Sequence, residues 1–298
     1  MPRSALEQIA ERRVPGSGPI NIHPVATGLV NRSCRVVRDG NSFSMRVVAE
    51  GATDLGLDRA WECRVLERAA TAGLAPRVEC CAPEEGILVA AWANGRTWSA
   101  EEACGPEHVD QMAELLRRVH ALPIPQPPRV MSAGAWISHY AAAAARRKAG
   151  VARSAALRAN AMTHLGRLGA TPAPPAVLCH SDLHRLNIVD DRPGGGLILL
   201  DWEYAHVADG FWDLAGWIAN NDWTEDTAAR LLRSYLRRAA FPAESARLGA
   251  LRWLYDYVCL QWSEIYLNQR AGPDSDEVDA RAERLAERLG CGSGGRAG

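Results

Sequence analysis

The run "SCRVVRD" passes through Asp39-Gly40-Asn41 into "SFSMRVVAE". An Asp-Gly pair takes the left-handed backbone of a tight hairpin turn, and β-branched residues on both sides favour pleated strands. This stretch therefore predicts an antiparallel hairpin and excludes a helix. "INIHPVA" before it reads as a further strand, and "RVECCAP", "EEG" and "ILVAAW" read as a second hairpin. Between the hairpins, "LDRAWECRVLERAATAG" has apolar residues at helical spacing and Gly73 at its C-terminal end. Up to about residue 92 the order is β-β-β-α-β-β.

After "ANGRTWS" the pattern changes. Ser99 followed by Glu101 and Glu102 marks a helix N-terminus, and that helix is expected to run on through "HVDQMAELLRRVHAL". "PIPQPP" is a stiff connection, and the alanine-rich stretch 135–168 is helical by propensity. "NIVDD" and "LILLDWE", joined by "RPGGG", predict another hairpin; the remainder is mainly helical to about residue 289. The expected class is α+β. A strand-rich N-terminal lobe covers 1–93, a mainly helical C-terminal lobe covers 94–290, and 291–298 forms a disordered tail.

Composition excludes several functions. The net charge of -1 gives no field that would draw nucleic acid or an anionic membrane. No run approaches the roughly 20 apolar residues of a membrane span. "MPRSALEQIAERRV" has no apolar signal-peptide core. Eight scattered cysteines without a C-x-x-C pair fit a reducing cytoplasm better than a disulfide scaffold.

The chemistry concentrates in "HSDLHRLN". His180, Asp182 and His184 are possible zinc ligands. The wider spacing H-x-D-x-x-x-x-N, formed by His180, Asp182 and Asn187, suits phosphoryl transfer instead. There a carboxylate accepts the proton of the attacking hydroxyl, and an amide oxygen holds magnesium. Nineteen residues after Asp182, Asp201 ends an apolar strand, where it is placed to ligate magnesium. Glu203, two residues on, shares its face and becomes a further candidate metal contact.

"LCHSDLHRLNIV" with "LLDWEYAHVADGFWDLAGW" resembles the aminoglycoside phosphotransferase and choline kinase superfamily of protein-kinase-like enzymes. The string "DWEYA" and Asp209 to Ala215 most resemble the choline, ethanolamine and thiamine kinase branch. The resemblance implies a two-lobed kinase-like fold and ATP- and Mg2+-dependent transfer to a small-molecule hydroxyl. It implies that Asp182 is the catalytic base, that Asn187 and Asp201 hold magnesium, and that His180 holds the catalytic loop, with Asp213 bracing it. "ATGLVNRSCRV" resembles the phosphate-covering loop, which gives Gly28, Asn31 and Ser33 a nucleotide role. Arg46 takes the place of the strand lysine that holds the phosphates, with Glu62 as its partner. Backbone groups of Ala91 to Ala93 would meet adenine. Alternatives to the choline-type reading are an aminoglycoside or other amino-alcohol phosphotransferase, and an inactive nucleotide-binding regulator.

Six of ten tryptophans follow residue 200. Aromatic faces bind cations, and Trp253 and Tyr257 lie one helical turn apart beside Asp256. These three are the candidate acceptor-binding residues, and the expected acceptor is cationic. The competing reading of the aromatic residues is core packing.

Overall fold

The computed structural model describes residues 4–25, 31–48, 55–147, 155–191, 196–269 and 275–290. In chain order the elements are α1 (Ala5–Arg13), β1 (Ile20–Pro24), β2 (Asn31–Arg38), β3 (Asn41–Val48), α2 (Arg59–Thr71), β4 (Val78–Ala82), β5 (Ile87–Ala91) and β6 (Arg96–Thr97). There follow α3 (Ala100–Cys104), α4 (Val109–His120), α5 (Ala133–Arg147), α6 (Ala155–Gly169), β7 (Val177–Cys179), β8 (Ile188–Asp190), β9 (Leu197–Leu199) and β10 (His206–Ala208). The last four are α7 (Phe211–Asn220), α8 (Glu225–Leu236), α9 (Pro242–Gln269) and α10 (Ser275–Arg288).

The chain forms two compact units. One comprises Met1–Ala52, Leu57–Trp98 and Leu186–Tyr204, the other Thr53–Gly56, Ser99–Arg185 and Ala205–Gly298. The first holds a five-stranded antiparallel sheet in the order β1-β2-β3-β5-β4. The expected hairpin is there: Arg38 faces Asn41, and Asp39 and Gly40 take φ of 49° and 76°. Alternate residues Cys34, Val36, Phe43, Met45, Ile87 and Val89 pack with Ala10 of α1 and Val14, just after it, as the core, as a period of two requires. Arg46, one residue past Met45, therefore points to the opposite face, where it meets α2.

A second, three-stranded sheet in this unit has the order β6-β8-β9. The β8–β9 hairpin is the expected one, although residues 192–195 of its turn lie outside the described residues. Its partner β6 sits in "ANGRTWS", a stretch expected only as a connection. Gly95 makes that pairing possible: at φ +139° its Cα lies so close to β8 that a Cβ would stand 2.3 Å from the Asp190 carbonyl oxygen.

The second unit is mainly helical, as expected, with one two-stranded antiparallel ladder of β7 and β10. The helix expected from Ser99 starts with a capping box to Glu102 but breaks after Cys104. Pro106 forces Gly105 into an extended conformation (φ -67°, ψ 131°), and α4 restarts after a 3-10 turn. The alanine-rich stretch forms α5 and α6, with 148–154 outside the described residues. The tail 291–298 also lies outside them.

The late aromatic residues mostly form core. Trp202, Trp212, Trp217 and Trp223 are buried, and Trp212 packs on Tyr255 at 5.2 Å between ring centroids. Cys63 of α2 and Cys81 of β4 are joined as a disulfide, with Cα atoms 5.9 Å apart, where the sequence suggests only free thiols. Their spacing of 18 residues carries no pairing signal; the packing of α2 on β4 brings them together. No helix among the described residues is long and apolar enough to cross a membrane.

Candidate active site

In the second unit, β7 delivers the chain to His180, beside the first turn of α7. Asp213, in that turn, accepts the His180 amide at 2.8 Å and the Ser181 amide at 2.7 Å. Those bonds hold Ser181 at φ 71°, a left-handed conformation that costs about 1–2 kcal/mol outside glycine. The Asp182 amide in turn donates to His180 Nδ1 at 3.3 Å. His180 is fully buried, at 0% exposure, so its place in the structure is under the loop, shaping the backbone that carries Asp182.

Beneath Asp213 lies His120 of α4, a residue that the sequence does not single out. A carboxylate only accepts, so His120 Nε2 carries the proton of the 3.1 Å bond to Asp213. Its Nδ1 meets the Tyr235 hydroxyl at 2.8 Å. Burial pushes the Asp213 carboxyl up; the His120 hydrogen bond, the imidazole charges and the His180 amide outweigh it and hold the carboxyl below its ordinary range. A depressed folded-state pKa contributes stability that is complete above the ordinary carboxylate value of about 4 and lost as pH falls through the depressed one. Asp213→Asn should therefore cost roughly 3 kcal/mol at neutral pH, because a buried charged partner is lost. It should also flatten the acid limb of stability below about pH 4. Thermal melts of both proteins from neutral to acid pH check this; an unchanged acid limb would show that Asp213 is not linked to it.

Of the three possible zinc ligands, His180 is occupied within the loop. His180 Nδ1 accepts the Asp182 amide, and His184 Nε2 stands 3.9 Å from Asp182 Oδ2. Burial holds the His184 imidazole below its ordinary value, with Asp182 opposing. Among the described residues, the side chains that converge within metal-binding reach are instead His120, Cys179 and Asp213. Both Asp213 oxygens there already accept N–H groups.

The first unit gathers the other candidates. In the β8–β9 hairpin Ile188 faces Leu199, and the Leu200 amide donates to the Asn187 carbonyl at 2.8 Å. Asn187, opposite Leu200, and Asp201, the next residue along, therefore both lie at one end of the hairpin. Asp201 takes φ 59°, a conformation that aspartate tolerates better than most residues. Arg46 bonds Asp201 at 3.0 Å and Glu62 at 2.5 Å, and its guanidinium is 3.6 Å from Glu203. Burial opposes the charge on Arg46, but Glu62, Glu203 and Asp201 more than compensate and raise its pKa. The expected Arg46–Glu62 pair is thus present.

Glu203, offered by the sequence as a metal contact, is 3% exposed, and its Oε2 accepts from Asn31 and Arg59, each at 2.7 Å. Asn31 opens β2, and Ser33 lies opposite Arg46 in the sheet. Gly28 falls outside the described residues. At the expected adenine-binding stretch, the amides of Ala91 and Trp92 already donate to the Arg77 and Ser42 carbonyls.

The candidate acceptor residues are placed differently. Tyr257 is 1% exposed and stacks at 5.5 Å on Trp253, which stacks at 4.7 Å on His164 of α6. Burial pushes the Asp256 carboxyl up, and Arg288, 2.5 Å away, opposes it. The face of α9 that meets the Asp182 loop is another one. Asn220 donates to the Leu183 carbonyl at 2.9 Å and to the Tyr255 hydroxyl at 3.1 Å, and Arg281 approaches Asn220 at 3.5 Å. Burial pushes the Cys259 thiol up to about 11, with Arg281 opposing and the Asp256 and Asp182 charges adding to it. Tyr255 and Tyr257 are about 200° apart around a helix, so both cannot serve one site. Tyr255 belongs to the late aromatic enrichment, but Asn220, Cys259 and Arg281 carry no signal in the sequence, because each is an ordinary helical residue there. For Arg59, three residues before Glu62, that spacing is the only signal.

Known proteins share this architecture. Residues 21–252 match the model of the phosphotransferase enzyme family. No curated protein sequence matches the chain. A choline/ethanolamine kinase family protein from Mesorhizobium loti is 23% identical at a TM-score of 0.71, covering 95% of this chain and 94% of its own. Choline kinase LicA from Streptococcus pneumoniae is 19% identical at 0.78, covering 96% and 99%, and has also been solved with AMP. A thermostable mutant of an aminoglycoside phosphotransferase is 18% identical at 0.63, covering 91% and 95%. These likenesses show the kinase-like fold. With that fold and a family match across most of its length, the chain belongs to the phosphotransferase enzyme family.

Proposed function

We propose that this phosphotransferase moves the γ-phosphoryl group of ATP to a hydroxyl of a small, cationic amino alcohol of the choline, ethanolamine or thiamine type. The observation that carries the donor side is the placement of Asn187 and Asp201 at one end of the β8–β9 hairpin, with Arg46 3.0 Å from Asp201. Oxygen donors of this kind suit magnesium. When bound, the ion offsets the phosphate charge. Arg46 holds phosphate oxygens with its planar fork. Asp182 accepts the hydroxyl proton as the new O–P bond forms and the bond to the ADP oxygen breaks.

On the acceptor side the support is the likeness to choline and ethanolamine kinases. The side chains that would meet the acceptor are those around Tyr255, which is linked through Asn220 to the Leu183 carbonyl next to Asp182, not Trp253 and Tyr257. A second reading, an acceptor that also bears an acidic group, is favoured by the positive charge of Arg281 near Asn220. A cytoplasmic location goes with this reading, since ATP is supplied there.

The test is ADP release with MgATP against choline, ethanolamine, thiamine, aminoglycosides and hydroxy amino acids. Turnover with an amino alcohol is the expected result. Turnover only with neutral sugars would overturn the cationic acceptor, and tight MgATP binding with no turnover on any acceptor would favour the inactive regulator.

A further inference from the structure

Two buried carboxylates, Glu62 at 2% exposure and Glu203, share one face of the first unit with Arg46. A buried carboxylate needs a cation or several donors. Were Arg46 the sole cation, both would claim its guanidinium and leave little of it for a third anionic group. Arg59 changes that balance. Its Nη1 donates to Glu62 at 2.9 Å and to Glu203 at 2.7 Å, and its Nη2 donates to the Asn31 side-chain oxygen at 2.9 Å. Asn31 completes the ring by donating to Glu203 at 2.7 Å. Arg46 is left with one arm on Glu62 and the other turned to Asp201, while Glu203 stays at 3.6 Å.

We infer that Arg59 is a positioning residue for the nucleotide phosphates. It neutralises Glu203 and shares Glu62, and so keeps one arm of Arg46 off Glu203 and on Asp201, from which it can turn to phosphate oxygens. The inference rests on the proposed role of Arg46 as a phosphate ligand. Without Arg59, Arg46 should swing onto Glu203, a move of under an ångström to reach hydrogen-bond distance.

The experiment measures MgATP affinity by calorimetry and steady-state kinetics for the wild type, Arg59→Gln, Arg59→Lys, and Arg59→Gln combined with Glu203→Gln. Arg59→Gln should weaken MgATP binding about tenfold or more, the usual scale for a charge-assisted contact. The acceptor KM should change far less. Lysine should recover part of the loss by restoring the charge. Neutralising Glu203 in the double variant should recover more, because it removes the group that captures Arg46; a general packing defect would not be repaired by a second buried substitution. Unchanged MgATP affinity in a folded Arg59→Gln protein overturns the inference, as does a loss that neither lysine nor the Glu203 change recovers. If Arg59→Gln does not fold, Arg59→Lys decides: affinity near wild type supports the charge account, and a full loss overturns it. A wild type that binds no MgATP sinks the donor reading itself, a result distinct from any difference among variants.

Discussion

Asp182→Asn should lower kcat by about 10²–10⁴, the usual worth of a general base, while MgATP binding stays near wild type. The substitution is informative because the loop is shaped by backbone contacts that asparagine keeps. Asp213 holds the amides of His180 and Ser181, and the residue-182 amide bonds His180. What changes is the ability to take a proton. Steady-state turnover together with a nucleotide titration separates the two effects. A variant with wild-type kcat would remove Asp182 from the role of base, and loss of MgATP binding would show that the change disturbed more than proton transfer.

Asp201→Asn should abolish the magnesium dependence of nucleotide binding and lower turnover at least about a hundredfold, because the phosphate charge then lacks its ion. Asparagine is preferred to alanine here for a structural reason. Residue 201 stands at φ 59°, which asparagine tolerates and which costs alanine about 1 kcal/mol or more. Arg46 keeps Glu62 in the variant, so the fold should hold. Titrating ATP with magnesium and with EDTA gives the readout: the wild type should bind more tightly with the ion, the variant equally in both. A variant that still responds to magnesium would place the ion on other ligands.

The chain's short-range signals are reliable where a few neighbouring residues set the outcome. Asp39-Gly40 turns the β2–β3 hairpin, and Ser99 with Glu102 caps α3. Asp58 caps α2 ahead of Trp61. The hairpin between Asn187 and Asp201 already implies that both lie at the same end of it, since strand register is a local property. The break at Pro106 is equally local, but the helical pattern is strong on both sides and masks it.

By itself, then, the sequence determined the α+β order, the hairpins and the membership of a phosphotransferase family. The tertiary structure alone decided which cations serve which carboxylates, and which face of α9 meets the Asp182 loop. Arg59 and Glu203 are 144 residues apart, and His120 and Asp213 are 93 apart. Neither separation leaves a periodic trace. The long helix α9 carries aromatic residues on more than one side, Trp253 and Tyr257 toward α6 and Tyr255 toward α7. A helix buried on several faces has no single apolar stripe to reveal its orientation. The Trp212–Tyr255 contact and the close approach of Gly216, where a Cβ would lie 2.8 Å from the Tyr255 ring, show which side of α9 packs on α7.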